Sequence, residues 1–276
     1  MDAARVLTAL AVILLGGLTL TSEDEESTNS TIVKMEGITK TFGGLTAVDD
    51  VDLVLKKGEI LGLVGDNAAG KSTLMKILIG AYEATEGQIY YRGEPVEIDS
   101  PHDAHELGIE IIYQNLALCD NLGVSENVLL GRWPRKWGLF VDKAAMKNKT
   151  HSVLERMGIS IDSLDQEVAT LSGGKRQTVA VARAISFDPD VLIMDEPTAN
   201  LSPEASDHVL SLASSLREEG VSIIIITHRL SEIFGVTDRI SVLRRGKLVG
   251  TVTTSEVSED DVLEMIISGK RRSETQ

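Results

Sequence analysis

Gly65-Asp66-Asn67-Ala68-Ala69-Gly70-Lys71-Ser72-Thr73 follows the pattern G-x-x-x-x-G-K-[ST], whose residue types suit the holding of a phosphate chain. Gly65 and Gly70 let the backbone wrap closely, so that successive N–H groups converge on one anion. Lys71 offers a cation to the outer phosphates, and the Ser72 hydroxyl offers a ligand to Mg²⁺. The bare pattern arises by chance in about one chain in a hundred of this size. Its setting narrows the reading. An apolar strand, Glu59-Ile60-Leu61-Gly62-Leu63-Val64, leads in, and a helix, Leu74-Met75-Lys76-Ile77-Leu78-Ile79, leads out. The free N–H groups and dipole of that helix favour negative charge at the same point. The bland alternative, a glycine turn that merely caps a helix, does not require this order. The stretch reads as a nucleoside triphosphate site.

Further candidate residues follow three apolar runs. Asp195 and Glu196 end the run that starts at Val191, at the strand edge where open α/β sheets bind ligands. Asp195 is expected to hold Mg²⁺, directly or through water, and Glu196 to orient and deprotonate an attacking water. The competing reading is an acidic pair at a helix start. His228 follows Ile223–Ile226 and Thr227, in reach of a γ-phosphate, and Gln114 follows Glu110–Tyr113 as a sensor of Mg²⁺ and water. Either would be unspecific alone. His102, His105, His151 and His208 have no partner pattern and are expected at the surface. Leu171-Ser172-Gly173-Gly174-Lys175-Arg176-Gln177 precedes a helix from Thr178 to Ile185 and builds a second anion-binding helix start. Separated from the first by a helical stretch, it need not face it in the same chain, and it can complete the site of a partner molecule. Cys119 reads as packing.

The elements that position these groups show in the apolar periodicity. Ile32–Glu36, Val51–Leu55 and Gln88–Tyr91, with turns at Gly43-Gly44, Lys57-Gly58 and Arg92-Gly93, predict a small antiparallel sheet. Val191–Met194, Ser222–Ile226 and Ile240–Leu243 predict further strands, the first two without alternation, as in parallel strands covered on both faces. Helices are predicted at Glu204–Arg217, Ser231–Phe234 and Ser258–Ser268, the last with Ser258 and Asp261 spaced as a capping box. Right-handed βαβ connections make this a doubly wound sheet. From Gln114 to Thr170 the spacing is helical, at Val124–Leu130 and Lys143–Met157, and no strand is predicted there. The fold class is therefore α/β, a P-loop NTPase: a mainly parallel core, an antiparallel β-subdomain, and an inserted helical subdomain over about residues 115–180.

Bulk properties set limits. The 276 residues are 42% hydrophobic, enough for a core, with one cysteine and a net charge of −15. That charge argues against nucleic-acid binding, which needs clustered cations. It suits solubility by self-repulsion and also a surface adapted to high salt. Residues 1–31 stand apart from the domain expected over residues 32–276. Val6–Leu20 is an apolar run shorter than the roughly 20 residues of a spanning helix, and Glu23–Ser30 is an acidic linker. A membrane-associating segment, the remnant of an upstream membrane protein, and a misplaced start are the readings, with the last two favoured.

Taken in order, the phosphate loop, Gln114, Leu171–Gln177, Val191–Pro197 and His228 resemble the ATP-binding subunit of ABC transporters, over about Ile32 to Gly269. The resemblance implies ATP and Mg²⁺ and a head-to-tail homodimer. Each ATP would lie between Gly65–Thr73 of one subunit and Ser172, Gly173, Gly174, Lys175 and Gln177 of the other. It implies an adenine stacked on Phe42 and membrane permease subunits docked on about Asn115–Trp137. A sugar-binding protein would take part indirectly, and the place of work would be the cytoplasmic face of the cell membrane. Gly65-Asp66-Asn67, Tyr113–Leu118 and Glu126–Arg132 are similar to importers of simple sugars of the ribose, xylose or fructose kind, here with one ATPase half in a separate chain. Three positions depart from the family pattern. Ala68 replaces a glycine, a change that a negative φ would tolerate, Lys175 replaces a glutamine, and Ser202 stands where many relatives have aspartate. A DNA-repair or translation ATPase would need coiled-coil arms or two ATPase halves. A stand-alone P-loop kinase would place its acceptor in the helical insert and leave Leu171–Gln177 without a role.

Overall fold

The computed structural model describes residues 30–199 and 201–270. Apart from Ser30 and Thr31, the segment expected at residues 1–31 lies outside them. The order begins with β1 (Thr31–Phe42), β2 (Leu45–Lys56), β3 (Ile60–Val64), α1 (Lys71–Leu78), β4 (Glu86–Tyr91) and β5 (Glu94–Val96). It continues through α2 (Pro101–Glu106), β6 (Ile109–Ile112), α3 (Val124–Val128), β7 (Arg135–Lys136), β8 (Phe140–Val141), α4 (Lys143–Arg156) and α5 (Gly173–Ile185). It closes with β9 (Val191–Asp195), α6 (Pro203–Glu218), β10 (Ser222–Ile226), α7 (Leu230–Ile233), β11 (Arg239–Arg244), β12 (Lys247–Thr253) and α8 (Glu259–Ser268). No described helix is long and apolar enough to cross a membrane.

The expected α/β class is observed. One sheet has the order β2-β1-β4-β5 and is antiparallel throughout. The other has the order β12-β11-β3-β10-β9-β6, parallel except for β12. The apolar runs of its central strands hide a period of two. Leu61, Leu63, Ile224 and Ile226 join the core shared with β1, β2, β4 and α1. Ile60, Val64, Ile223 and Ile225 join the core on the opposite face, with α5 and α6. Both faces are dry, so alternation in position leaves no alternation in residue type. Burying each isoleucine contributes about 1.5–3 kcal/mol. Ser258 and Asp261 form the expected capping box at α8.

Three expectations need correcting. The insert predicted to be free of strands carries the hairpin β7–β8. Strands of two residues have no periodicity to detect, and the turn decides their existence. Strand β12, absent from the sequence reading, pairs with β11, and Gly250 interrupts its apolar pattern. His105 is not a plain surface residue. It hydrogen-bonds Glu110 and meets the Phe187 ring edge-on, with centroids 4.3 Å apart. Burial pushes the Glu110 carboxyl up, and the bond to His105 opposes the rise. Of the other histidines treated as surface, His102 and His151 reach Glu106 and Glu155 one helical turn on.

Candidate functional site

The phosphate loop occupies the C-terminal edge of β3, between β10 and β11. Close walls set its shape. Gly65 has φ +148°, and a Cβ there would lie 2.0 Å from the Leu243 carbonyl oxygen. Gly70 has φ +101°, and its Cβ would lie 2.6 Å from the Ala47 carbonyl oxygen. No other residue fits either position. Ala68 does not have the negative φ that would make it tolerable: it stands at +66°, in the left-handed region. The alanine bears the steric cost of that conformation, about 1 kcal/mol.

Lys71 opens α1 and is buried. Its ammonium donates to the carbonyls of Gly65 at 2.6 Å and Asp66 at 3.0 Å, holding the loop closed on itself. Burial keeps that ammonium below its ordinary range, against the charges of Glu196, Asp195 and Asp66. Asp195 ends β9, level with Ile226 at the end of β10. Burial pushes its carboxyl up, against a hydrogen bond with Ser72. The neighbouring Glu196 charge adds to the rise, and Lys71 and Lys76 oppose it.

Glu196 has φ +51°, unusual for a glutamate, and its N–H donates to the Ile226 carbonyl at 2.9 Å. That bond ties the strained residue to the next strand, so its carboxylate is positioned by the sheet. His228 Nδ1 lies 2.9 Å from the Glu196 carboxylate. Gln114, two residues beyond β6, lines the same space.

Asn67–Thr73, Gln114, Asp195, Glu196 and His228 thus converge on one cleft of about 720 Å³. Sequence reasoning missed part of its wall. Thr46 and Ala47 of β2 and the Arg245-Gly246 turn also line it. Gly246 donates to the Ala69 carbonyl at 3.0 Å and accepts from the Asp49 N–H at 2.8 Å, stitching turn, loop and β2 together. A glycine-containing turn after an apolar strand was the available signal, and many turns share it.

Other predicted residues lie elsewhere. Phe42, at the end of β1, is 43% exposed and stands edge-on to Tyr82 at 5.3 Å, outside the residues lining the cleft. Ser172–Gln177 contributes nothing to this cleft. Ser172 caps α5 by accepting the Lys175 N–H, and Ser172 and Gly173 face outward. Lys175 pairs with Asp162 at 3.0 Å. Gln177, expected towards a partner's ATP, turns inward in this chain, 5% exposed, and its amide nitrogen has no hydrogen-bond partner among the described residues. Ser202 caps α6.

The ABC transporter family profile matches residues 48–199. A putative ribose/galactose/methyl galactoside import ATP-binding protein of Agrobacterium fabrum is 42% identical over 236 residues, 86% of this chain and 46% of the relative. A ribose import ATP-binding protein of Burkholderia cenocepacia is 44% identical over 86% of this chain and 46% of its own length. The chain therefore spans about half the length of these curated relatives. Among solved structures, an ATP-binding cassette of an ABC transporter aligns with a TM-score of 0.77 and 26% identity, covering 87% of this chain and 98% of the cassette. Phosphate loop, sheet order and sequence profile agree, and the chain belongs to the ABC transporter family.

Proposed function

We propose that the chain binds ATP at Gly65–Thr73 and hydrolyses it as the motor subunit of an importer of simple sugars. One observation carries the reading: Lys71, Ser72, Gln114, Asp195, Glu196 and His228 meet in one cleft at a single sheet edge. Lys71 would leave the Gly65 and Asp66 carbonyls for the phosphates, its charge matched to theirs. Glu196 would take a proton from water as the water oxygen bonds to the γ-phosphorus. The bond from that phosphorus to the bridging oxygen breaks, leaving ADP and inorganic phosphate. His228 would hold the Glu196 carboxylate in place and reach the γ-phosphate. The hydroxyl of Ser72, the carboxylate of Asp195 and the amide oxygen of Gln114 are hard donors that fit Mg²⁺. Bound there, the ion would neutralise charge on the β- and γ-phosphates.

The outward-facing start of α5 at Ser172–Gly174 supports a head-to-tail dimer in which each copy completes the other's site. The names of the relatives support the cargo class, and membrane permease subunits with a sugar-binding protein would be the partners, at the cytoplasmic face of the membrane. Residues 32–276 would form the ATP-binding domain, with about 115–180 as its helical subdomain and about Asn115–Trp137 as the stretch that meets the permease. Sugar would not touch this chain.

The test is the solution mass of Glu196→Gln with and without ATP. An ATP-dependent shift from monomer to dimer is expected. A monomer with ATP bound, or direct binding of sugar by the isolated chain, would sink the reading and favour a stand-alone enzyme.

A further inference from the structure

The hairpin β7–β8 presents an exposed apolar tip. Among the described residues, exposed large apolar side chains concentrate here: Trp137 and Leu139 are each 81% exposed, Phe140 is 65% exposed, and Val141 is also exposed. Two residue pairs hold the strands, Arg135 with Val141 and Lys136 with Phe140. The Leu139 N–H donates to the Lys136 carbonyl at 3.3 Å across the turn. Trp137 and Gly138 between them have φ +54° and +73°, both left-handed, as in a type I′ turn. Asparagine, aspartate or glycine ordinarily takes the first of those positions. An indole there adds backbone strain and leaves most of its surface exposed.

Along the sequence, the charge on either side of the tip is opposite to that of the whole chain. Between Arg132 and Lys149 stand six cations and one carboxylate, Asp142, in a chain of net charge −15. Asp142 is engaged in capping α4. Lys143 and Lys147 pair with Glu126 and Asp165, and Arg132 donates to the Ser186 carbonyl. Arg135, Lys136 and Lys149 have no carboxylate partner among the described residues. Lys136 lies 5.1 Å over the Trp137 ring.

We infer that this hairpin is a wedge for an anionic lipid surface. Indole and phenyl rings settle at the boundary between headgroups and acyl chains, and cations beside them meet lipid phosphates. An apolar tip with basic flanks satisfies both requirements at once. The inference does not depend on nucleotide; it gives Arg135–Trp137, the end of the stretch proposed above to meet the permease, to lipid instead.

The chain has two tryptophans, Trp133 and Trp137. Trp133 is half-buried, its indole N–H donating to the Glu126 carbonyl at 3.0 Å. In the full chain, Trp133→Phe leaves Trp137 as the sole indole reporter. With phosphatidylglycerol-containing vesicles, its emission is expected to shift to the blue and to be quenched by brominated acyl chains. Pure phosphatidylcholine or added salt should weaken the response. Adding Leu139→Ser and Phe140→Ser should lower partitioning about tenfold, while ATP affinity, measured in parallel, stays unchanged and reports intact folding. Absence of quenching in anionic vesicles overturns the proposal. So does partitioning that the serine variants leave unchanged, which would place membrane contact elsewhere in the chain. A response confined to membranes that carry a permease also overturns it, in favour of a protein-docking surface.

Discussion

Ala68 holds a conformation that glycine adopts at no steric cost. Ala68→Gly removes about 1 kcal/mol of strain and returns part of it as unfolded-state entropy. The expected outcome is a gain of about 0.5 kcal/mol, read by chemical denaturation without nucleotide. Lys71 yields a second prediction. Burial depresses its pKa in the free protein, and phosphate oxygens replacing backbone carbonyls would raise it again. Between those two values ATP binding takes up a proton, and affinity falls as pH rises through the window. Calorimetry in two buffers of different ionisation enthalpy should detect the uptake, and Lys71→Arg should abolish it.

At the scale of elements, β10 carries the stability argument. Ile224 is fully buried in the core between the two sheets. Ile224→Ala should cost roughly 3 kcal/mol in urea titration, with ATP affinity little changed well below the transition. Strands of this kind also explain how far the sequence could be read. Asp195, Glu196, His228 and Gln114 were locatable because each closes a strongly apolar run, and strand ends share one edge of a parallel sheet. The hairpin at Arg135–Val141 was not, since a left-handed tryptophan, and no periodic pattern, makes its turn. The pairing of His105 with Glu110 joins α2 to β6, and helical or strand spacing says nothing of contacts between elements. The resemblance turned Gln177 towards a partner's ATP, yet the phase of α5 turns it to the core alongside Val181. The left-handed Ala68 was invisible for the reason that made Gly65 and Gly70 visible: residue type reports conformation only where alternatives are forbidden.

For the whole molecule, charge sets the terms of association. Two copies of net charge −15 repel each other, and at physiological salt that repulsion is screened beyond about 8 Å. The ATP-bound dimer of Glu196→Gln should therefore tighten as potassium chloride rises, measured by sedimentation velocity. A dimer that loosens with salt would mean complementary charges across the interface outweigh the overall repulsion. The sheet order has another consequence, for the chain as it is made. The residues of the phosphate loop emerge early, but β3 is flanked by β10 and β11, and Gly65 is pressed against the Leu243 carbonyl. A nascent chain that has reached Ala199 holds every residue from Gly65 to Glu196 and none of those two neighbouring strands. Competence to hold a phosphate thus arrives late in synthesis, all at once, long after its sequence motif has left the ribosome.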